Sequence, residues 1–275
     1  MSYAAVLTHV QADSDTAPRL ACAIDVAERF KASIIGVGAE MIPPLAFDGG
    51  FYSLEADWVT AMRQSIDDRL AQARETFCTA VKPLGERATW ESGLQLPAPA
   101  LAGASRAADL IVAGGAPHRG ADPYRVADPG ELALISGRPV LVAPSHGKAL
   151  EAKKVVLAWK DTRESRRALS DALPFLESAT AVEVVEVCDP LDEGQAKIRV
   201  EDVVGALNRR GVHAQGKVIA NAHAGVEQLL QEADAFGSDL IVAGAYGHSR
   251  LGEWVFGGFT RELLLQDQRY LLLSH

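Results

Sequence analysis

The stretch Gly244-Ala-Tyr-Gly247-His248-Ser249-Arg250, with Gly257-Gly258-Phe259-Thr260-Arg261 beginning after nine residues counted from Gly247, has the residue types and spacing to hold an anion. Glycine allows the backbone to come close to a ligand, and N–H groups gathered at a turn or helix start concentrate positive potential there. Arg250 and Arg261 add positive charge; His248, Ser249 and Thr260 add hydrogen-bond donors. The chemistry indicated is phosphate binding.

Bond-breaking chemistry has weaker support. Gly247-His-Ser249-Arg-Leu251 approaches the GxSxG nucleophile elbow, and Asp267 and His275 follow in triad order, but the last glycine is missing and those partners lie too close in sequence. A Walker A lysine motif, GxGxxG, HExxH and paired-carboxylate spacing are all absent from the sequence. A dedicated enzyme is not expected.

The elements that position the glycine stretch can be read on either side of it. Asp239-Leu-Ile-Val-Ala243 is a short apolar run and Glu262-Leu-Leu-Leu265 follows the glycines, giving strand, loop, helix. Asp109-Leu-Ile-Val-Ala-Gly114 repeats Asp239–Gly244 residue for residue. The first half offers strands over 4–10, 33–38, 88–91, 109–114 and 137–144, with helices beginning at 16, spanning roughly 54–81 and lying near 98–107. A Pro- and Gly-rich loop follows Gly114. The second half offers strands over 154–159, 182–188, 214–220, 239–243 and 270–274. Its helices open at Asp161-Thr-Arg-Glu164, which resembles a capping box, and cover about 195–210, 225–236 and the segment after 258. Alternating strands and helices with buried apolar strands imply α/β units built on doubly wound parallel sheets, with ligands beyond the carboxyl strand ends.

The Gly244, Gly247, Gly257 and Gly258 spacing resembles the ATP-binding signature of the universal stress protein family, in which the last position is normally Ser or Thr. With the repeat, nearly the whole chain resembles a tandem member: two adenine nucleotide alpha hydrolase-like domains, 1–147 and 152–275, facing each other as an intramolecular pseudo-dimer. The resemblance implies ATP, with Mg²⁺ as a companion ion and at most weak ATP hydrolysis. Family members commonly place an Asp after the first strand; here Lys160, beside Asp161, holds that place in the second half, and Gln11 is near it in the first.

The halves are not equivalent. At the offset of the repeat, Pro117 falls on Gly247, Ala127 on Gly257, Asp128 on Gly258 and Glu131 on Arg261, and the same loop carries Asp122. Carboxylates repel a triphosphate, so one site per chain, in the second half, is expected. Its expected residues are Gly244, Gly247, His248, Ser249, Arg250, Gly257, Gly258, Phe259 and Thr260, with Lys160 and Asp161 at the far end.

At 275 residues, 48% hydrophobic and 23% charged, the composition is that of a globular protein long enough for two domains. A net charge of -9 and a pI near 5.3 argue against general nucleic-acid binding. Cys22, Cys78 and Cys188 are scattered, as reduced thiols of a cytoplasmic protein would be, and neither a metal motif nor a membrane-spanning run is present. Two functions are therefore expected in competition: a cytoplasmic stress-response protein regulated by an adenine nucleotide, and a nucleotide-free scaffold binding a protein partner or another small ligand. Either could form a homodimer.

Overall fold

The computed structural model describes residues 2–12, 16–44, 52–115, 122–146, 148–221, 225–247, 258–266 and 268–275, with 52–56 as backbone only. The first half contains strands β1 (Ala5–His9), β2 (Ser33–Glu40), β3 (Ala88–Leu94), β4 (Leu110–Gly114) and β5 (Val140–Ala143). Its helices are α1 (Thr16–Phe30), α2 (Tyr52–Ala80), α3 (Pro97–Ala104) and α4 (Pro129–Ile135). The second half repeats the order with β6 (Lys154–Ala158), β7 (Ala181–Cys188), β8 (Ala214–Ala220), β9 (Leu240–Gly244) and β10 (Tyr270–Ser274). Its helices are α5 (Arg163–Ser178), α6 (Glu193–Asn208), α7 (Gly225–Phe236) and α8 (Gly258–Leu265).

Within each half the strands pair in parallel, and each half is doubly wound. The halves do not keep separate sheets. One ten-stranded sheet runs β3-β2-β1-β4-β5-β10-β9-β6-β7-β8, and β5 against β10 is its antiparallel seam. Leu272 pairs with Leu141 at the middle of that seam, flanked by Leu271 with Val142 and Leu273 with Val140, the pattern of a pseudo-twofold axis. The central strands are buried on both sides, which is why they are near-continuous Leu, Ile and Val. On one face Leu20, Phe77, Phe175, Val200 and Leu207 of α1, α2, α5 and α6 form the core; on the other, Leu101, Leu132, Leu229 and Leu263 of α3, α4, α7 and α8.

The repeated aspartates have a structural task. Asp109 Oδ2 accepts the N–H groups of Ala4 and Ala5 at 2.7 and 3.1 Å, and Asp239 Oδ2 those of Glu151 and Ala152 at 2.8 and 3.1 Å. Each ties the start of its half's first strand to the fourth, satisfying donors that no neighbouring strand reaches.

Two local expectations are corrected. The cap of α5 is Thr162, whose hydroxyl accepts the Ser165 N–H at 3.2 Å, one residue later than the box begun at Asp161. The loop after Gly114 contains a helix, α4, capped by Asp128, which accepts the Glu131 N–H at 2.9 Å, with Pro129 in its first turn. Asp128 thus stabilises a helix start. Of the cysteines, Cys22 and Cys188 are buried and Cys78 is exposed.

Candidate functional site

A cleft of about 420 Å³ opens where β6, β7 and β9 end. Its floor is Ala158, Val185, Val187, Ala243 and Gly244, and Gly225 and Leu229 of α7 form one wall. Lys160, Thr162 and Ser165 at the start of α5 form another, facing Tyr246, Gly247 and the first turn of α8, Gly258, Phe259 and Thr260. β6 lies between β7 and β9, so the winding reverses here and two helix starts converge on one apolar floor. Partial positive charge at both helix starts makes this end of the sheet receptive to an anion.

The glycines differ in what requires them. A Cβ on Gly244 would stand 2.6 Å from the Ser165 amide nitrogen and 2.7 Å from the Glu164 carbonyl carbon, so this glycine lets α5 close onto β9. A Cβ on Gly247 would meet Glu164 Oε2 at 2.9 Å and Thr162 Oγ1 at 3.3 Å. Gly258 faces open space, where a Ser or Thr would fit equally well. The left-handed backbone falls on Tyr246, with φ of 57°.

Among the other residues expected at the site, Thr260 is buried, its hydroxyl accepting the Tyr246 N–H at 3.1 Å, and Phe259 is exposed on the cleft wall. Lys160 is exposed on the opposite wall. Asp161 pairs with Arg166 at 2.6 Å in solvent. His248, Ser249, Arg250 and Gly257 lie outside the described residues, as do Trp254 and Phe256. Of the triad order considered from sequence, His275 holds the Ala245 carbonyl at 3.0 Å, and Ser249 and Asp267 are also outside the described residues.

Two contributors are not among the residues expected at the site. Tyr246 is one. The other is Glu164, a buried carboxylate beneath Gly247. Burial pushes its carboxyl up, but its own backbone N–H, Arg163 at 2.9 Å and Thr162 together hold it below the ordinary value. It therefore carries negative charge beside the glycine loop at neutral pH.

Among the described residues, the first half's own side chains occupy its corresponding end. Arg19 is buried, donating from Nε to the His9 carbonyl at 2.7 Å and from Nη2 to Gln11 Oε1 at 3.2 Å and Thr16 Oγ1 at 3.0 Å. A Cβ on Gly114 would stand 2.9 Å from its guanidinium. Gln11 Nε2 in turn donates to the Arg125 carbonyl, and Glu40, also buried, pairs with Arg69 at 2.7 Å and Arg125 at 3.5 Å. The segment around Tyr124 is thereby drawn over the strand ends, its carbonyl accepting the Met41 N–H at 2.9 Å. Among the described residues a groove of about 390 Å³ lies between α3 and α4, with Asp128 and Glu131 at its edge.

A universal stress protein from Archaeoglobus fulgidus DSM 4304 superposes over 98% of this chain and 95% of its own, with a TM-score of 0.73 at 14% identity. This is the tandem universal stress protein fold. A Pseudomonas aeruginosa UCBPP-PA14 protein assigned to the universal stress proteins matches that fold too, with a TM-score of 0.62 at 14% identity over 99% of this chain and 93% of its own. A protein of unknown function from Pseudomonas aeruginosa PAO1 matches at 0.55 and 13% identity, over 99% and 92%. No protein-family model and no curated protein sequence matches the chain. Among the described residues there is no cluster of three metal-ligating side chains, and no helix is long and apolar enough to cross a membrane.

Proposed function

We propose that the second half binds an adenine nucleotide, ATP, in the cleft at the ends of β6, β7 and β9, as the ligand-responsive part of a cytoplasmic stress-response protein that contacts a protein partner. The observation that carries this reading is the contrast between the halves. A cleft of a size usual for small-molecule sites persists beside the glycine loop of the second half, whereas Arg19, Gln11 and Arg125 fill its counterpart. The residues present fit the ligand in outline. Val185, Val187 and Leu229 offer an apolar seat for a base, and the first turn of α8 with Gly247 offers backbone donors to phosphate. Lys160 would balance charge, Mg²⁺ would be carried by the phosphates, and among the described residues nothing lining the cleft assigns a general base for hydrolysis.

The test is native mass spectrometry of the purified protein for a co-purified nucleotide, then calorimetric titration with ATP. One molecule bound per chain is expected. Gly247→Asp, which adds a carboxylate beside Glu164, should abolish binding, and Asp122→Asn in the first half, away from the seam, should leave it unchanged. No heat of binding at millimolar ATP would overturn the reading. In that case the second reading, a nucleotide-free scaffold, gains; the ionised Glu164 beneath Gly247 is the observation that favours it.

A further inference from the structure

Tyr246 belongs to the cleft and to the seam at once. It lines the cleft between Gly244 and Gly247, and its φ of 57° is a conformation that glycine adopts freely and tyrosine does not. Such a backbone persists only where its surroundings over-determine it, and two contacts do so here. From its own half, Thr260 Oγ1 accepts its N–H at 3.1 Å. From the other half, α4 makes room for its ring: a Cβ on Gly130 would stand 2.2 Å from the Tyr246 hydroxyl and 3.3 Å from Leu264 of α8. Gly130 and Thr260 are the same position of the sequence repeat. One member holds the backbone of Tyr246 and the other leaves space for its side chain. Burial, and after it the charge of Asp128 at the cap of α4, push the Tyr246 phenol up, so the ring presents a neutral hydroxyl to this contact.

We infer that Tyr246 is a positioning residue whose ring, seated on Gly130 of the first half, holds the turn Gly244–Gly247 of the second half in its binding geometry. The degenerate half thereby controls the affinity of the intact one. A methyl group at Gly130 displaces the hydroxyl, the ring loses its seat, and the left-handed turn that presents Gly247 relaxes. This rests on the nucleotide reading only for its affinity arm; the mechanical link holds without ligand.

The test is a double-mutant cycle of Gly130→Ala and Tyr246→Gly, in which glycine keeps the left-handed turn and removes the ring. Amide hydrogen exchange of the full ligand-free chain is read over 244–247 and 258–262, and ATP with Mg²⁺ is titrated by calorimetry. Gly130→Ala should speed exchange in both segments and weaken ATP by at least about fivefold. On the Tyr246→Gly background it should add nothing. Unchanged exchange over 244–247 in Gly130→Ala, or the same effect with and without the ring, overturns the inference. If exchange follows the cycle and no protein binds ATP, the nucleotide reading fails and the link stands. If ATP binds equally to all four proteins and exchange is unaltered, the link fails and the nucleotide reading stands. Should Gly130→Ala not fold, Tyr246→Gly alone reads the link from the other side: exchange over 130–135 should quicken, and unchanged exchange there overturns it.

Discussion

His9 is a titratable residue that the fold uses for packing. It ends β1, fully enclosed, with Nε2 at 3.3 Å from the Ala39 carbonyl and its own carbonyl taken by Arg19. Burial first, then the charge of Arg19, push its imidazole down to about 3 from 6.5, the Ala39 carbonyl opposing them. The unfolded chain therefore binds a proton that the folded chain refuses between these two values. Stability held above pH 6.5 should be lost as the pH falls toward 3. Urea denaturation across that range should show a shallower acid loss in His9→Asn than in the parent chain; an unchanged slope would count against the burial of a neutral ring. Neither this residue nor Tyr246 could be assigned from spacing. What each does depends on neighbours 30 or more positions away, Ala39 for one and Gly130 for the other.

At the scale of elements, β1 and β6 are each tied to the fourth strand of their own half by an aspartate that accepts two N–H groups. Asp109→Ala and Asp239→Ala should each cost about 1.5–3 kcal/mol, the range for hydrogen bonds to a charged group. Similar losses for both in equilibrium unfolding would confirm that the repeated Asp is structural, whereas loss of ligand binding without loss of stability in Asp239→Ala would point elsewhere. Strands and long helices were legible because alternation of apolar runs and helical spacing report burial directly. The helix α4 was not, because it has seven residues between a Pro-rich loop and Gly137. Its signal, Asp128-Pro129, is two residues long, and the repeat places Asp128 on Gly258 of the glycine loop, where a carboxylate suggests lost phosphate binding instead of a helix cap.

For the whole molecule, the seam makes one body of the two halves. Tyr3 and Phe30 of the first half pack on Phe175 of α5 with ring centroids 5.6 and 5.2 Å away, and the Tyr3 hydroxyl donates to the Asp171 carbonyl at 2.6 Å. Arg29 of α1 donates to the Leu150 and Glu151 carbonyls, both at 2.8 Å, and Arg167 of α5 to Gly137 at 2.7 Å. Phe175 is fully buried, so Phe175→Ala should cost about 3–5 kcal/mol. Because its partners lie in the other half, the loss should also split a single urea transition into two, read by circular dichroism and tryptophan fluorescence; a single transition merely shifted would mean that the β5–β10 ladder and the remaining polar contacts suffice to couple the halves.

The sequence by itself determined the α/β class, the duplication and the place of the glycine loop, since these follow from local periodicity and from one repeated hexapeptide. Only the tertiary structure decided that the two sheets fuse through β5 and β10, that Arg19 and Gln11 fill the first half's strand ends, and that Glu164 and Tyr246 border the cleft. The reason is physical. Periodicity encodes which face of an element is buried, but a cleft is made by side chains that meet from distant positions, and whether they leave room for a ligand depends on packing that no local pattern records.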